Sequence, residues 1–247
     1  MEEKNFDTNE ETVVKPSFLS RLDNFWYHYK WHSIIAVFLI IAILICSLQM
    51  CRKEKYDTYI LYAGSHNLSR EDSGDGISEY QRITASLKRA VEDYDGNGEV
   101  SLSLLNYLSM TKEEIEAAKE NLAPGEEFNL IYGDSENLRY TLIYSEYYVC
   151  FISEGVYDAY STYQGTSMFV PLAPFTTEGR EYDYYAPDAI RLSSLTAFSS
   201  LPGIADLPSD TLICLRAKSS LADKVGPEKN SKNYDNAKAV IRNILGY

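Results

Sequence analysis

Acidic side chains alternate with turn formers over Asp93-Tyr94-Asp95-Gly96-Asn97-Gly98-Glu99-Val100-Ser101. Oxygen-bearing residues at positions 1, 3, 5, 7 and 9, glycine at 6 and an apolar residue at 8 is the spacing with which an EF-hand loop surrounds Ca²⁺. Carboxylate and amide oxygens are hard ligands that suit this ion. Asp93, Asp95, Asn97, Glu99 and Ser101 are therefore the candidate metal ligands, and Ca²⁺ is the one cofactor the sequence suggests. Position 12, where the motif has a bidentate Glu, is Leu104. The same residues also read as a glycine-rich turn between a helix and a strand.

A second candidate lies in Ser65-His66-Asn67, directly after the apolar run that ends at Gly64. His66 is the one histidine beyond residue 32. The carboxyl ends of parallel strands are where α/β sheets collect ligands, so Ser65, His66 and Asn67 form a candidate binding rim. No G-x-S-x-G elbow accompanies His66, and no P-loop or dinucleotide fingerprint occurs. No Cys/His spacing suits zinc. The expected activity is accordingly not enzymatic.

The elements that must position these groups follow from apolar spacing. A strand is expected over 56–63 and an amphipathic helix over 77–93, from apolar residues at steps of three and four. A second strand is expected over 100–108. Thr111 followed by Glu114 has capping-box spacing and opens a helix to about Leu122, closed by Pro124 and Gly125. Gly133-Asp134 interrupts the next periodic stretch, which leaves a helix over 135–145. A strand over 147–152, a short helix over 153–163, an irregular stretch over 164–187, strands over 189–192 and 211–215, and a C-terminal helix bearing Ala237, Val240, Ile241, Ile244 and Leu245 complete the order. Strand and helix alternation of this kind indicates an α/β domain with a mainly parallel or mixed sheet.

The most decisive stretch precedes all of this. From Trp31 to Cys51 no residue carries a formal charge, and the run from Ile34 to Met50 is dominated by Ile, Leu, Val, Phe and Ala. A helix of that length covers roughly 30 Å, the thickness of a bilayer's hydrocarbon core. The aromatic block Phe25-Trp26-Tyr27-His28-Tyr29-Lys30-Trp31-His32 suits the headgroup layer. The expected organisation is a polar, amphipathic head over 1–24, a transmembrane anchor over 25–51 and one α/β domain over 56–247. A long polar head before the run and no small-residue cleavage site after it argue for an uncleaved signal anchor rather than a secretory leader. The lysines and arginines flanking the run are nearly balanced, so they do not orient it.

Charge is distributed unevenly. Lys and Arg total 23 against 36 Asp and Glu, and the whole net charge of −13 falls beyond residue 55. Such a domain repels nucleic acid, which excludes DNA or RNA as a partner. It also carries 19 of the 21 tyrosines, rigid amphipathic contact area that suits a protein or small-molecule partner. This acidic, tyrosine-rich composition leads to the expectation that the domain lies outside the cytoplasm. Cys150 and Cys214 lie in two strand-like runs; a disulfide and two separately buried thiols both fit.

The aromatic block 25–32, Ile60-Leu-Tyr-Ala-Gly64, Tyr94-Asp-Gly-Asn-Gly-Glu-Val-Ser-Leu102 and Leu207-Pro-Ser-Asp-Thr-Leu-Ile-Cys-Leu-Arg216 together resemble a group of uncharacterised single-span bacterial membrane proteins. That resemblance implies a location in the cell membrane rather than an activity. More remotely, the βα order is similar to one lobe of type II solute-binding proteins, although Tyr144-Ser145-Glu146 stands where those proteins often have Ala-Gly-Asp. The expectation is a membrane-anchored extracytoplasmic domain that binds a ligand or a membrane or surface protein. Its alternatives are a structural role in a membrane complex and, third, a surface hydrolase.

Overall fold

The computed structural model describes residues 18–51, 56–72, 74–119 and 127–247. The chain divides into two units, one ending at Glu54 and one beginning at Lys55. In the first, helix α1 (Phe18–Cys51) is continuous over 34 residues. The aromatic block is thus part of the same helix as the apolar run, with Phe25 stacked on Tyr29 at 5.3 Å between ring centroids and Tyr29 edge-on to His32 at 6.1 Å. Phe25–Ser47 is long and apolar enough to cross a membrane by length and composition, and none of it is buried within the protein.

The second unit is an α/β domain. Its strands are β1 (Thr58–Gly64), β2 (Leu102–Leu108), β3 (Val149–Ser153), the short β4 (Thr162–Tyr163) and β5 (Thr166–Ser167), β6 (Tyr184–Ala186), β7 (Ala189–Arg191) and β8 (Thr211–Leu215). Its helices are α2 (Glu79–Leu87), α3 (Lys112–Lys119), α4 (Glu127–Tyr144), α5 (Glu154–Tyr160), α6 (Thr196–Ser199) and α7 (Pro227–Gly246). Six strands form one mixed sheet in the order β2-β1-β3-β8-β7-β6. β1 runs parallel to β2 and β3, while β8, β7 and β6 continue it antiparallel. β4 and β5 make a separate hairpin.

Helices cover both faces, which is why β1 and β3 read as unbroken apolar runs instead of alternating ones. On one face Ile60, Tyr62, Phe151 and Ile213 pack with Ile83 and Leu87 of α2 and Val240, Ile241 and Ile244 of α7. On the other, Leu61, Cys150, Ile152 and Cys214 pack with Leu138 and Leu142 of α4 and Val156 of α5. The outer edge of β2 is partly capped, because the Tyr80 hydroxyl donates to the Leu104 carbonyl at 2.8 Å. The opposite edge is three residues long and bulged at Tyr184/Ala186.

Local chemistry explains most boundaries. Ser78 caps α2 in a reciprocal box with Gln81, and Thr111 and Glu114 do the same for α3. The expected end of α3 near Leu122, with Pro124 and Gly125, lies outside the described residues. Three helices, and the strands that follow the last of them, depart from expectation. α2 gives way to a 3-10 turn over Lys88–Ala90 and does not reach residue 93. α4 begins at Glu127 and runs through Gly133-Asp134, since an interior glycine costs only about 1 kcal/mol in a helix that neighbouring turns sustain. α5 stops at Tyr160, the residues expected to be its last turn form β4, and the stretch expected to be irregular supplies β5 and β6.

Arg216, just beyond β8, is 1% exposed and closes the end of α4. Its Nη1 donates to the Leu142 carbonyl at 2.8 Å, its Nη2 to that of Ser145 and its Nε to that of Tyr147 at 3.2 Å. The guanidinium also lies 4.5 Å from the centre of the Tyr148 ring. A cation at a helix C-terminus is favoured by the orphan carbonyls gathered there.

Candidate functional site

Two of the proposed metal ligands meet, and a third carboxylate joins them from outside the turn. Asp93 Oδ1 accepts from the backbone N–H of Gly96 at 2.7 Å and of Asn97 at 3.2 Å, while Oδ2 accepts from Gly98 at 2.7 Å. Those N–H groups, Gly98 first, hold the Asp93 carboxyl below the ordinary aspartate range. Asp95 accepts from the backbone and side-chain N–H groups of Asn97, both at 3.0 Å. Gly96 and Gly98 have φ of 74° and 88°, a left-handed conformation that glycine adopts without penalty.

Asp57, 1% exposed and placed just before β1, is the third group. Its Oδ1 accepts from the N–H of Tyr94 at 2.8 Å and of Asp95 at 3.1 Å. Its Oδ2 accepts from the N–H of Ser101 at 2.8 Å and from its hydroxyl at 3.0 Å. One oxygen each from Asp57, Asp93 and Asp95 lies within 4.8 Å of the others. The remaining proposed ligands are engaged differently. Asn97 Oδ1 accepts from the N–H of Glu99 at 2.7 Å, the Ser101 hydroxyl turns inward to Asp57, and Glu99 is exposed and outside the three-carboxylate group. Loop spacing carries no trace of Asp57, which sits 37 residues before Tyr94. The only signal available was an acid standing directly before a strand that is apolar after its first residue.

The other candidate rim lies at the carboxyl end of β1, as expected. His66 Nε2 is 2.6 Å from Glu79 Oε1 at the start of α2, and Glu79 Oε2 accepts from the N–H of Ser69 at 3.2 Å. Asn106 of β2 donates to Asn67 Oδ1 at 2.7 Å. The Asn106 Oδ1 is buried with no hydrogen-bond partner among the described residues. Ser65 and His66 are partly exposed and Asn67 is exposed. Beneath them Tyr62 is buried, and burial first, then Asp210, Glu79 and Glu114, pushes its phenol pKa up. Burial likewise raises the Asp210 carboxyl, with Glu114 adding to the effect. Sequence spacing did not single out Glu79, Asn106 or Asp210, because three different elements deliver them.

Beside this rim is a groove of about 570 Å³ bordered by Met110, Thr111, Ile115, Val156 and Tyr160. Its floor requires Gly155, since a Cβ there would collide with Thr111 Cγ2. The arrangement offers hydrogen-bonding groups and an adjoining mostly apolar surface, which is the make-up of a binding site. No Ser, Thr or Cys side chain is hydrogen-bonded to His66 among the described residues. No family model, curated protein or solved structure matches the chain.

Proposed function

We propose that this protein is a single-pass membrane protein whose α/β domain lies outside the cytoplasm and binds a small ligand or a membrane or surface protein without catalysing a reaction. The observation that carries this reading is the convergence of His66, Asn67, Glu79 and Asn106 at the carboxyl end of β1 and β2, with the buried Asn106 Oδ1 left without a partner among the described residues. A buried acceptor without a donor is costly, and a ligand N–H or O–H would satisfy it. Its test is native mass spectrometry of the full chain in nanodiscs, with Asn106→Leu as the comparison. A retained ligand or protein partner in the wild type, lost in the variant, is expected. Equal retention in both contradicts this assignment. Proteinase K added to intact cells should remove residues 56–247, and full protection contradicts the orientation.

A second reading is favoured by Asp57. The turn lacks the acidic ligand of position 12, and Asp57 brings a carboxylate to Asp93 and Asp95 from elsewhere. Three carboxylates this close repel one another, and no ion pair reaches them among the described residues. Ca²⁺ held by Asp57, Asp93 and Asp95 would relieve that repulsion and tie β1 to β2. Millimolar Ca²⁺ is expected to raise the melting temperature of the wild type by several degrees and to leave Asp93→Asn/Asp95→Asn unchanged. No shift in the wild type contradicts the reading.

A further inference from the structure

A groove on the α4 and α5 side of the sheet is bordered by no carboxylate among the described residues, in a chain of net charge −13. It has two lobes, of about 400 Å³ and 340 Å³, which meet along Leu142, Tyr163 and Met168. Three basic residues border it: Arg139 on α4, Arg216 beyond β8, and Lys218 two residues later.

Arg216 places a buried guanidinium beneath this region. Its guanidinium has five N–H donors, three of which go to carbonyls of Leu142, Ser145 and Tyr147. No carboxylate is paired with it among the described residues. Carbonyl dipoles and the face of Tyr148 solvate the charge without cancelling it. Arg139 is exposed and borders the same groove as Tyr160, whose phenol burial pushes up while the nearby Arg139 charge partly offsets that rise. Lys218 is also exposed; its ammonium spends one of three donors on the Ser231 hydroxyl at 2.8 Å.

The wall opposite α4 is the β4–β5 hairpin, whose turn contains the only non-glycine residue at positive φ among the described residues. Gln164 has φ of 51° and is followed by Gly165 at 77°. Both positive angles match a two-residue hairpin turn, but the first would be easier for Asn, Asp or Gly. The costlier residue is the one that borders both lobes. Its amide stands beside the Tyr163 hydroxyl, to which Nε2 donates at 3.3 Å.

We infer that this groove binds an oxyanion, the phosphate or carboxylate group of a small soluble molecule. Lys218 contacts the anion in the lobe that buried Arg216 also borders, Arg139 adds positive charge from the adjoining lobe, and Gln164, which borders both, positions the hairpin wall. The proposal is separate from the rim at His66 and does not depend on it.

The test titrates inorganic phosphate, and separately citrate, into the full chain in nanodiscs of neutral lipid at constant ionic strength, read by calorimetry. At least one anion should bind saturably, and Arg139→Gln/Lys218→Gln should weaken it at least tenfold while its melting temperature in anion-free buffer stays at the wild-type value. Each single variant, made in case the double variant fails to fold, should weaken binding by a smaller factor. Repeating the titration in discs containing phosphatidylglycerol separates a soluble anion, whose response is unchanged, from a lipid headgroup, which would compete and overturn the soluble assignment. Absence of saturable binding by either anion, or affinity unaltered in the folded variants, overturns the proposal.

Discussion

The carboxylate of Asp57 accepts the backbone N–H of Tyr94 at 2.8 Å, joining the residue before β1 to the turn before β2. The same carboxylate reaches Ser101 on the far side of that turn, so one buried acid holds both ends of a loop. The helix α7 supports it, because Asn236 Nδ2 donates to the Asp57 carbonyl at 2.9 Å. Replacing Asp57 by Ala strands three backbone N–H groups and is expected to cost about 3 kcal/mol. Asp57→Asn keeps one carbonyl acceptor and is expected to cost less. Urea unfolding of the full chain in detergent measures both.

The turn also makes stability depend on acid. Asp93 is held below its ordinary value of 3.8 by the N–H groups of Gly98, Gly96 and Asn97. The unfolded chain therefore takes up this proton at higher pH than the folded one. The contribution of Asp93 is fully present above the unfolded value and is lost as pH falls through the lower folded one. Wild type is expected to lose more stability than Asp93→Asn on going from pH 5 to pH 3, as measured by denaturant unfolding at each pH. Parallel curves for the two proteins would contradict this.

The sequence was most readable where one element decides its own fate. The reciprocal bonds of Thr111 and Glu114 are local, and so the start of α3 was visible from spacing alone. The apolar runs of β1, β3 and β8 likewise carry their own burial. α7 shows the limit of such reading. Its periodic apolar residues begin at Ala237, yet the helix starts at Pro227, because its first half buries Asn230, Asn233 and Asn236. Asn230 donates to the Ser219 carbonyl at 3.1 Å, a partner that no periodicity encodes. β6 was hidden for a related reason, since its pairing with β7 is short and bulged. At the candidate sites, Ser65, His66 and Asn67 marked the right end of β1, whereas Glu79, Asn106 and Asp57 arrive through tertiary pairing.

Gly155 and Thr111 form a pair whose coupling can be measured. A Cβ at position 155 meets Thr111 Cγ2, so Gly155→Ala is expected to destabilise the domain by about 1–3 kcal/mol through overpacking. Thr111→Ser deletes the offending methyl and retains the hydroxyl that caps α3. The double variant Gly155→Ala/Thr111→Ser should therefore recover most of the loss, and a double-mutant cycle on melting curves reads the coupling. Simple additivity would contradict the packing described.

Cys150 and Cys214 are directly opposite across β3 and β8 and both thiols are free. Arg216 N to Tyr148 O and Glu154 N to Asp210 O are hydrogen-bonded pairs two and four positions away on this ladder, so the cysteines occupy a hydrogen-bonded pair too. Side chains are farther apart in that class than in the alternate one, which disfavours a disulfide. Burial raises the Cys150 thiol to about 12 and pushes Cys214 up as well, which suppresses the reactive thiolate. Iodoacetamide should modify neither in the folded protein and both after unfolding without reductant. A mass two hydrogens lighter across the two peptides would contradict the dithiol.

The binding role of the β1 and β2 ends is tested most directly by a photo-reactive amino acid at Asn67, which is exposed on the rim. The control carries the same group at Arg89, which is exposed on the turn after α2. Irradiation of intact cells, followed by gel and mass analysis of the purified chain, is predicted to give one discrete adduct from position 67. That adduct should be absent from position 89 and reduced when Asn106→Leu is added. Adduct patterns that do not differ between positions 67 and 89 would contradict a binding rim at this edge of the sheet.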